Sequence, residues 1–332
     1  MTPADPSPRQ MQVWVSNDYG GPEVLTLEHR PVPVLDDGEV CIRIHATTVA
    51  SADVRLRASK FPRGFALMGR VALGITRLRQ PILGTDFAGT VDAIGKHVTR
   101  FKPGDAVMGI TGAALRCHAQ YRVMPAEKSA LSLKPANLSF EEAASLPFGA
   151  MTALHFLRRA QLKAGESILV IGASGAVGSA FVQLARHLGA VVTGVSSRAN
   201  LALVQSLGAH AVIDYRAQDF TQSAATYDVI ADTVGASSFA QCHTRLNAHG
   251  RYLSIAGDLM ALFARSRGTK RSIGGPAPDS PAELHEVVQL AASGVLKPVI
   301  DRRYRFGQMQ EAHAYVDSGR KRGSVVVTVT QE

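Results

Sequence analysis

Residues Ser167–Tyr215 read SILVIGASGAVGSAFVQLARHLGAVVTGVSSRANLALVQSLGAHAVIDY. Ser167–Ile171 is a short β-branched apolar run, of the kind a parallel sheet buries on both faces. Gly172, Gly175 and Gly178 punctuate the turn that follows, and Val177–Leu188 carries its apolar residues at helical spacing. Gly189 stands just beyond Leu188, where helices commonly stop, and Val191–Val195 is a second apolar run. Strand, glycine turn, helix and strand make the first half of a dinucleotide-binding unit. Its glycines let the backbone approach a pyrophosphate, whose charge rests on the helix N-terminus. The strict fingerprint has three glycines; here Ala173 holds the first place, with Gly175 and Gly178 in the others. The surrounding strand, helix and second strand therefore carry the reading.

The end of the second strand bears on the choice of nucleotide. A carboxylate there holds a ribose 2′-hydroxyl and repels a 2′-phosphate. This chain has Ser196, Ser197, Arg198, Ala199 and Asn200, with no acid before Asp214. Hydroxyls, an amide and a guanidinium suit a phosphate, and Arg198 is a charge-assisted donor to it. The expected cofactor is NADPH.

With 332 residues and 46% hydrophobic content, the chain is long enough for two domains, each with its own core. No run is long enough to span a bilayer, and residues 1–10 are polar and read as a disordered leader rather than a signal peptide. Cys41, Cys117 and Cys242 are far apart, without disulfide or metal spacing, which fits a reduced, cytoplasmic protein. The net charge of +9 points to an anionic cofactor, an acidic membrane surface or nucleic acid.

Residues 12–46 alternate apolar and polar, with turns at Tyr19–Pro22 and Asp36–Gly38, and predict antiparallel strands facing water on one side. Further strands are expected at Pro81–Ile94, Asp105–Ile110 and His118–Met124. Residues 140–157 read as helical with an interruption at Pro147, and Ser139 with Glu142 forms a capping box. Tyr227–Val234 and Arg251–Ala256 are further buried strands, Pro281–Ser293 and Phe306–Gly319 helices, and Val299–Tyr304 is extended. The closing Ser324–Val329 is a strand expected to return to the N-terminal β domain, so that the nucleotide domain is an insertion.

The chain resembles the medium-chain dehydrogenase/reductase superfamily, in its zinc-independent quinone oxidoreductase branch. The resemblance lies in Gly20–Leu25, Gly84–Val91, Val98–Asp105, Leu146-Pro147 through Thr152-Ala153, Ala173–Gly178 and Lys321–Val326, in this order along nearly the whole length. It implies an α/β protein: a GroES-like, β-barrel-like catalytic domain of residues 11–148 and 293–332, and a Rossmann domain of residues 149–292 with a doubly wound parallel sheet. It implies a substrate cleft between them and a homodimer. Zinc members of the superfamily carry ligands where this chain has Ala50, Thr85 and Phe148, none of which binds zinc, so no metal is expected. The branch's usual Asn-Pro-x-Asp is here Ala50-Ser51-Ala52-Asp53, which removes an amide able to orient a substrate carbonyl.

Without a metal or a nucleophile, the protein's share of the chemistry is to hold a nicotinamide against an acceptor that is already electrophilic. Quinones and α,β-unsaturated carbonyls qualify; an ordinary alcohol needs a base or Lewis acid. The resemblance places Thr152, Val234, Ile255 and Gly257 near the nicotinamide, and Ser174, Gly175, Ala176, Val177 and Gly178 at the phosphates. Tyr215 is expected at the adenosine end or in the core, and Lys321 at a cofactor phosphate or in a solvated turn. Ser51, Asp53 and Tyr121 are the catalytic-cleft residues expected by motif position, with His118 beside them; Asp53 and Asp86 also read as buried structural carboxylates.

From Val54 to Thr85 there is no acidic residue, and Arg55–Arg79 interleaves cations with apolar side chains. The segment reads as a lid over the cleft or a peripheral membrane contact, with Arg63, Arg70 and Arg77 at seven-residue spacing; no nucleic-acid motif accompanies it. The alternative function is a weakly catalytic, cofactor-binding protein associated with a membrane surface or RNA.

Overall fold

The computed structural model describes residues 9–60, 66–256 and 266–329. Strands β1 (Gln10–Ser16) and β2 (Leu25–Pro31) form an antiparallel hairpin. Gln10 and Arg9, assigned above to a leader, are thus part of the fold: Arg9 bonds Asp92 and Tyr121. Then come β3 (Glu39–Val49), α1 (Ser51–Arg57), α2 (Ala66–Leu73), β4 (Asp86–Ile94), β5 (Ala106–Ile110), β6 (Tyr121–Pro125) and β7 (Ala130–Leu133). Strand β3 does not face water. Val40, Ile42 and Ile44 pack with Phe87 and Val107, while Cys41 on its other face packs with Met11, Val13 and Val15 of β1. The hairpin covers the face that alternation left open. The expected strand at Pro81 begins only at Asp86, because Gly84 adopts φ +86°, outside strand conformation.

Two helices lead out of this domain. Ser139 accepts from the Glu142 backbone N–H and Glu142 returns a bond to the Ser139 N–H, starting α3 (Phe140–Ala144) with the expected capping box. Pro147 sits in the first turn of α4 (Pro147–Ala160), a position that needs no N–H.

The central unit runs β8 (Ser167–Ile171), α5 (Ala176–His187), β9 (Val191–Ser196), α6 (Leu201–Ser206), β10 (Ala211–Asp214), β11 (Tyr227–Asp232), α7 (Phe239–Cys242), β12 (Leu246–Ser254) and β13 (Arg271–Gly274). Its six parallel strands lie in the order β10-β9-β8-β11-β12-β13. This doubly wound order reverses between β8 and β11, where nucleotides bind. Strand β13 falls in a stretch whose basic residues hid its β character.

After the helix Pro281–Ala292, strand β14 (Ile300–Arg305), the helix Met309–Asp317 and β15 (Ser324–Thr328) complete the chain. Strand β15 pairs antiparallel with β3 and parallel with β14, the return expected from sequence. The resulting sheet has the order β14-β15-β3-β4-β5-β7, with β6 also on β3. Among the described residues no helix is long and apolar enough to cross a membrane.

The glycine turn shows why its spacing matters. A Cβ on Gly178 would lie 2.1 Å from the Gly172 carbonyl oxygen, so only glycine lets α5 pack this closely on the end of β8. Gly178→Ala is expected to cost about 1–3 kcal/mol through overpacking and to weaken nucleotide binding. Thermal melts with and without NADPH check both effects; an unchanged melt and an unchanged ligand-induced shift contradict this packing argument.

Candidate functional site

The cleft is built from a buried carboxylate outward. Asp53, in the first turn of α1, accepts the Ala50 N–H at 2.8 Å and the Gly84 N–H at 2.9 Å. It thereby ties the start of α1 to the loop before β4. His118 is fully buried beneath the same loop, its Nε2 3.0 Å from the Thr48 carbonyl, and burial holds its pKa below the usual range. A Cβ on Gly84 would come within 2.4 Å of this ring. Asp53 and His118 are therefore framework residues rather than catalytic groups facing the cleft.

Asp86 begins β4 and does reach the cleft. Its Oδ1 accepts the Phe148 N–H at 3.0 Å, and its Oδ2 accepts the Thr48 hydroxyl at 3.0 Å and the Thr85 hydroxyl at 3.4 Å. Burial outweighs these donors and pushes its pKa up to about 7. Phe148 thus contributes a backbone N–H, and Ala50 is the residue before α1. Among the described residues no group of three or more His, Cys, Asp or Glu side chains is placed to hold a metal. Cys117 is buried, its Sγ beside the Thr85 carbonyl, with its pKa pushed up to about 12 by burial.

The cleft lies between the two sheets and encloses about 530 Å³. Gly175, Ala176 and Val177 from the phosphate turn line one wall, with Thr233, Val234 and Ile255 from the ends of β11 and β12. Ser51, Ala52, Arg55 and Leu56 of α1 line the facing wall, with Lys60 beyond the helix; Lys321 and Ser324 come from the returning chain. Asp232 shapes the β11 end: its carboxylate accepts the N–H groups of Val234, Gly235 and Ser237 and two hydroxyls, fixing the loop that presents Thr233 and Val234. The contribution of Thr233 went unread, although it directly precedes the expected Val234.

At the end of β9, Ser196 donates to the Ser174 hydroxyl at 2.8 Å, and the Asn200 amide donates to Ser174 at 3.2 Å and Ser197 at 3.3 Å. Arg198 is exposed beside them in a single 3-10 turn, its side chain without a hydrogen bond or ion pair to a described residue. Tyr215 is 53% exposed at the end of β10, its N–H bonded to the Ser196 carbonyl, which removes the core reading. This polar rim carries hydroxyls, an amide and a free guanidinium, the donor set that fits a phosphorylated ribose. Lys321 is half-buried rather than solvated: its Nζ donates to the Gly323 carbonyl at 2.9 Å, and burial lowers its pKa to about 8 against the pull of Asp301 and Asp86.

The other expected residues fall as follows. Tyr121 does not line the cleft; it is buried with Met11, Val13 and Ile82 and lies under the Arg9 guanidinium. Thr152 is buried on α4, one turn beyond the cleft-lining Phe148 and Gly149. Gly257 and Arg63 lie outside the described residues. Of the seven-residue series, Arg70 lies on α2 while Arg77 follows it, so no single helix carries them.

A doubly wound nucleotide sheet, joined across a cleft to a β domain built from both chain ends, defines a two-domain pyridine-nucleotide oxidoreductase. Residues 36–150 match the alcohol dehydrogenase GroES-like domain family, and residues 207–327 match the zinc-binding dehydrogenase family. The 2-methylene-furan-3-one reductase of Solanum lycopersicum is 32% identical over 96% of this chain and 79% of its own length. The chloroplastic NADPH-dependent alkenal/one oxidoreductase of Arabidopsis thaliana is 31% identical over 96% of this chain and 80% of its own. The solved quinone oxidoreductase of Coxiella burnetii superposes with a TM-score of 0.86 at 29% identity, covering 97% of this chain and all of that one. The chain belongs to the medium-chain dehydrogenase/reductase superfamily, in its quinone oxidoreductase branch.

The elevated pKa of Asp86 has a measurable consequence. Between its ordinary value of 3.8 and about 7, the folded protein holds this proton more tightly than the unfolded chain does. Folding stability from this group therefore falls as pH rises through that window. Asp86→Asn keeps an acceptor for the Phe148 N–H and removes the titration. Melts across the same window should show a shallower decline in the variant; an identical decline assigns the pH dependence elsewhere.

Proposed function

We propose that the protein is an NADPH-dependent reductase of quinones and α,β-unsaturated carbonyls that works without a metal. The observation that carries this reading is one cleft joining the phosphate turn to an apolar chamber with no metal-ligating cluster among the described residues. The names of the relatives support it and do not favour the alternative of a weakly catalytic binding protein. In the net reaction an enone, NADPH and a proton give the saturated ketone and NADP⁺; a quinone gives the hydroquinone. The nicotinamide supplies the hydride when bound. The protein's residues do the rest: Gly175–Val177 and the Ser174–Asn200 rim hold the phosphates, and Val234 and Ile255 fix the ring face. Ser51 on the opposite wall positions the acceptor. Apolar surface from Leu56, Phe148 and Val316 excludes water, and the acceptor's proton comes from solvent or from Lys321. Preference for NADPH over NADH rests on Arg198 with Ser196, Ser197 and Asn200.

Loss of NADPH absorbance with 9,10-phenanthrenequinone and with alkenals tests the reading, run beside NADH. Saturable turnover with NADPH preferred is expected, and cofactor binding with no acceptor reduced sinks it. Arg198→Glu should lower kcat/KM for NADPH by about ten- to hundredfold, the worth of a lost charge-assisted bond, while NADH suffers less. Equal losses for both cofactors would place the phosphate elsewhere.

A second reading concerns the surface of α2. Met68 and Val71, one helical turn apart, and Ile75 just beyond are 59%, 52% and 66% exposed, and Arg70, Arg77 and Arg79 are exposed around them. Apolar side chains ringed by cations suit an anionic lipid surface, and we infer a peripheral contact there. Cosedimentation with phosphatidylserine vesicles that weakens with salt and with Met68→Ser/Ile75→Ser is the expected result. No cosedimentation at low salt ends this reading. We infer a homodimer, for which β13, an edge strand of its sheet among the described residues, offers a pairing strand.

A further inference from the structure

Three cations stand close together at the end of α1, and the structure treats them differently. Arg57 is fully buried and ion-paired with Asp317 on the helix Met309–Asp317, so it locks two helices together. Arg55 and Lys60 instead are exposed and line the cleft, and neither side chain makes a hydrogen bond or ion pair with a described residue. A cation in the last turn of a helix eases the helix dipole, which accounts in part for Arg55. It does not account for Lys60, which follows the helix and is folded back by a bond from its N–H to the Arg55 carbonyl at 2.9 Å. This bond brings the two free cations to the same end of the cleft.

Their setting lacks compensation. Among the described residues that line the cleft, Asp86 is the sole carboxylate; it lies deep, beneath Thr48 and the Phe148 N–H, and its raised pKa leaves it only partly charged at neutral pH. The sequence from Val54 to Thr85 contains no acid to neutralise them. The groups that suit the cofactor phosphates, Gly175–Val177 and the Ser174–Asn200 rim, belong to the other domain. Arg55 follows Ser51 by one helical turn on the same face of α1, about 6 Å along its axis. The chamber between is apolar, with Val49, Leu56 and Val316 in its walls.

We propose that Arg55 and Lys60 select an anionic substrate: an enone or quinone whose apolar, reducible end lies by Ser51 and whose carboxylate, sulfonate or phosphate lies about one helical turn further out. The inference rests on the reductase reading and adds a substrate class to it. Arg55 supplies a forked guanidinium able to hold two oxygens of such a group, and Lys60 a mobile point charge. Both act on recognition and approach, so their effect falls mainly on KM and on the salt dependence of kcat/KM.

The test compares benzylideneacetone with its para-carboxy derivative, in which the charge is remote from the reducible bond. The wild-type protein should favour the carboxylate, and added salt should erode that preference. In Arg55→Gln/Lys60→Gln the ratio of kcat/KM, carboxylated over neutral, should fall by about tenfold or more, as expected for a lost charge-assisted contact. An unchanged ratio overturns the inference while leaving the reductase intact. If neither enone is reduced, the quinone and alkenal panel decides the reductase reading separately, and calorimetry of para-carboxybenzylideneacetone on the NADP⁺-loaded protein decides the anion site. Salt-sensitive binding that disappears in the double variant upholds the anion site; binding that is absent or indifferent to the variant overturns it.

Discussion

The cleft depends on the return of the last strand. Strand β15 inserts between β3 and β14, and the residue just before it touches the nucleotide domain: the Gly323 N–H donates to the Ser174 carbonyl at 2.7 Å. One short peptide thus joins the β sheet to the phosphate turn. Gly323 adopts φ +57°, and a Cβ there would meet the Val299 carbonyl at 2.0 Å. The junction therefore requires glycine on two counts, backbone conformation and space. Lys321 and Ser324, on either side, both reach the cleft. Fixing this junction sets the spacing of the two walls.

Buried carboxylates do the same work within each wall. Asp53, Asp86 and Asp232 are all nearly inaccessible, and each accepts backbone N–H groups from loops or from the first turn of a helix. A buried charge is tolerated when its lone pairs are filled. Asp53 fills both oxygens with backbone N–H groups from two separate segments, and so defines where α1 starts relative to β4. Asp232 gathers three N–H groups from one loop and so fixes the β11 side of the cleft. Asp86 has fewer backbone donors and relies on two hydroxyls, and burial correspondingly raises its pKa.

Much of this was legible in the sequence. The glycine spacing, the β-branched runs and the helix stop at Gly189 locate the parallel sheet, because each feature acts over a few residues. The polar stretch Ser196–Asn200 was legible for the same reason: it lies at the end of one strand. What escaped were relations between distant segments. Nothing local in Tyr121 shows that the β1–β2 hairpin buries it, nor in Asp53 that its partner is the Gly84 N–H thirty-one residues on. Alternation in β3 suggested a wet face because the hairpin that dries it is itself a separate piece of chain. Strand β13 is not legible because it is four residues long, starts on Arg271 and contributes only Ile273 to the core. Motif position brought Asp53 to the right neighbourhood and could not say which way its carboxylate points.

The basic segment shows most sharply why sequence and site differ. Arg55 and Arg57 are two residues apart and chemically the same, yet one faces the cleft and the other is sealed against Asp317. Two steps along a helix turn a side chain through about 200°, so neighbours of this spacing face opposite ways. On the inner face, the helix Met309–Asp317 supplies a carboxylate, and pairing makes burial of Arg57 tolerable. On the outer face there is no described counter-charge, so Arg55 and Lys60 stay exposed and unpaired at the edge of an apolar chamber. A run of cations in the sequence looks uniform; the helix divides it into one that holds the wall together and two that remain available to whatever enters.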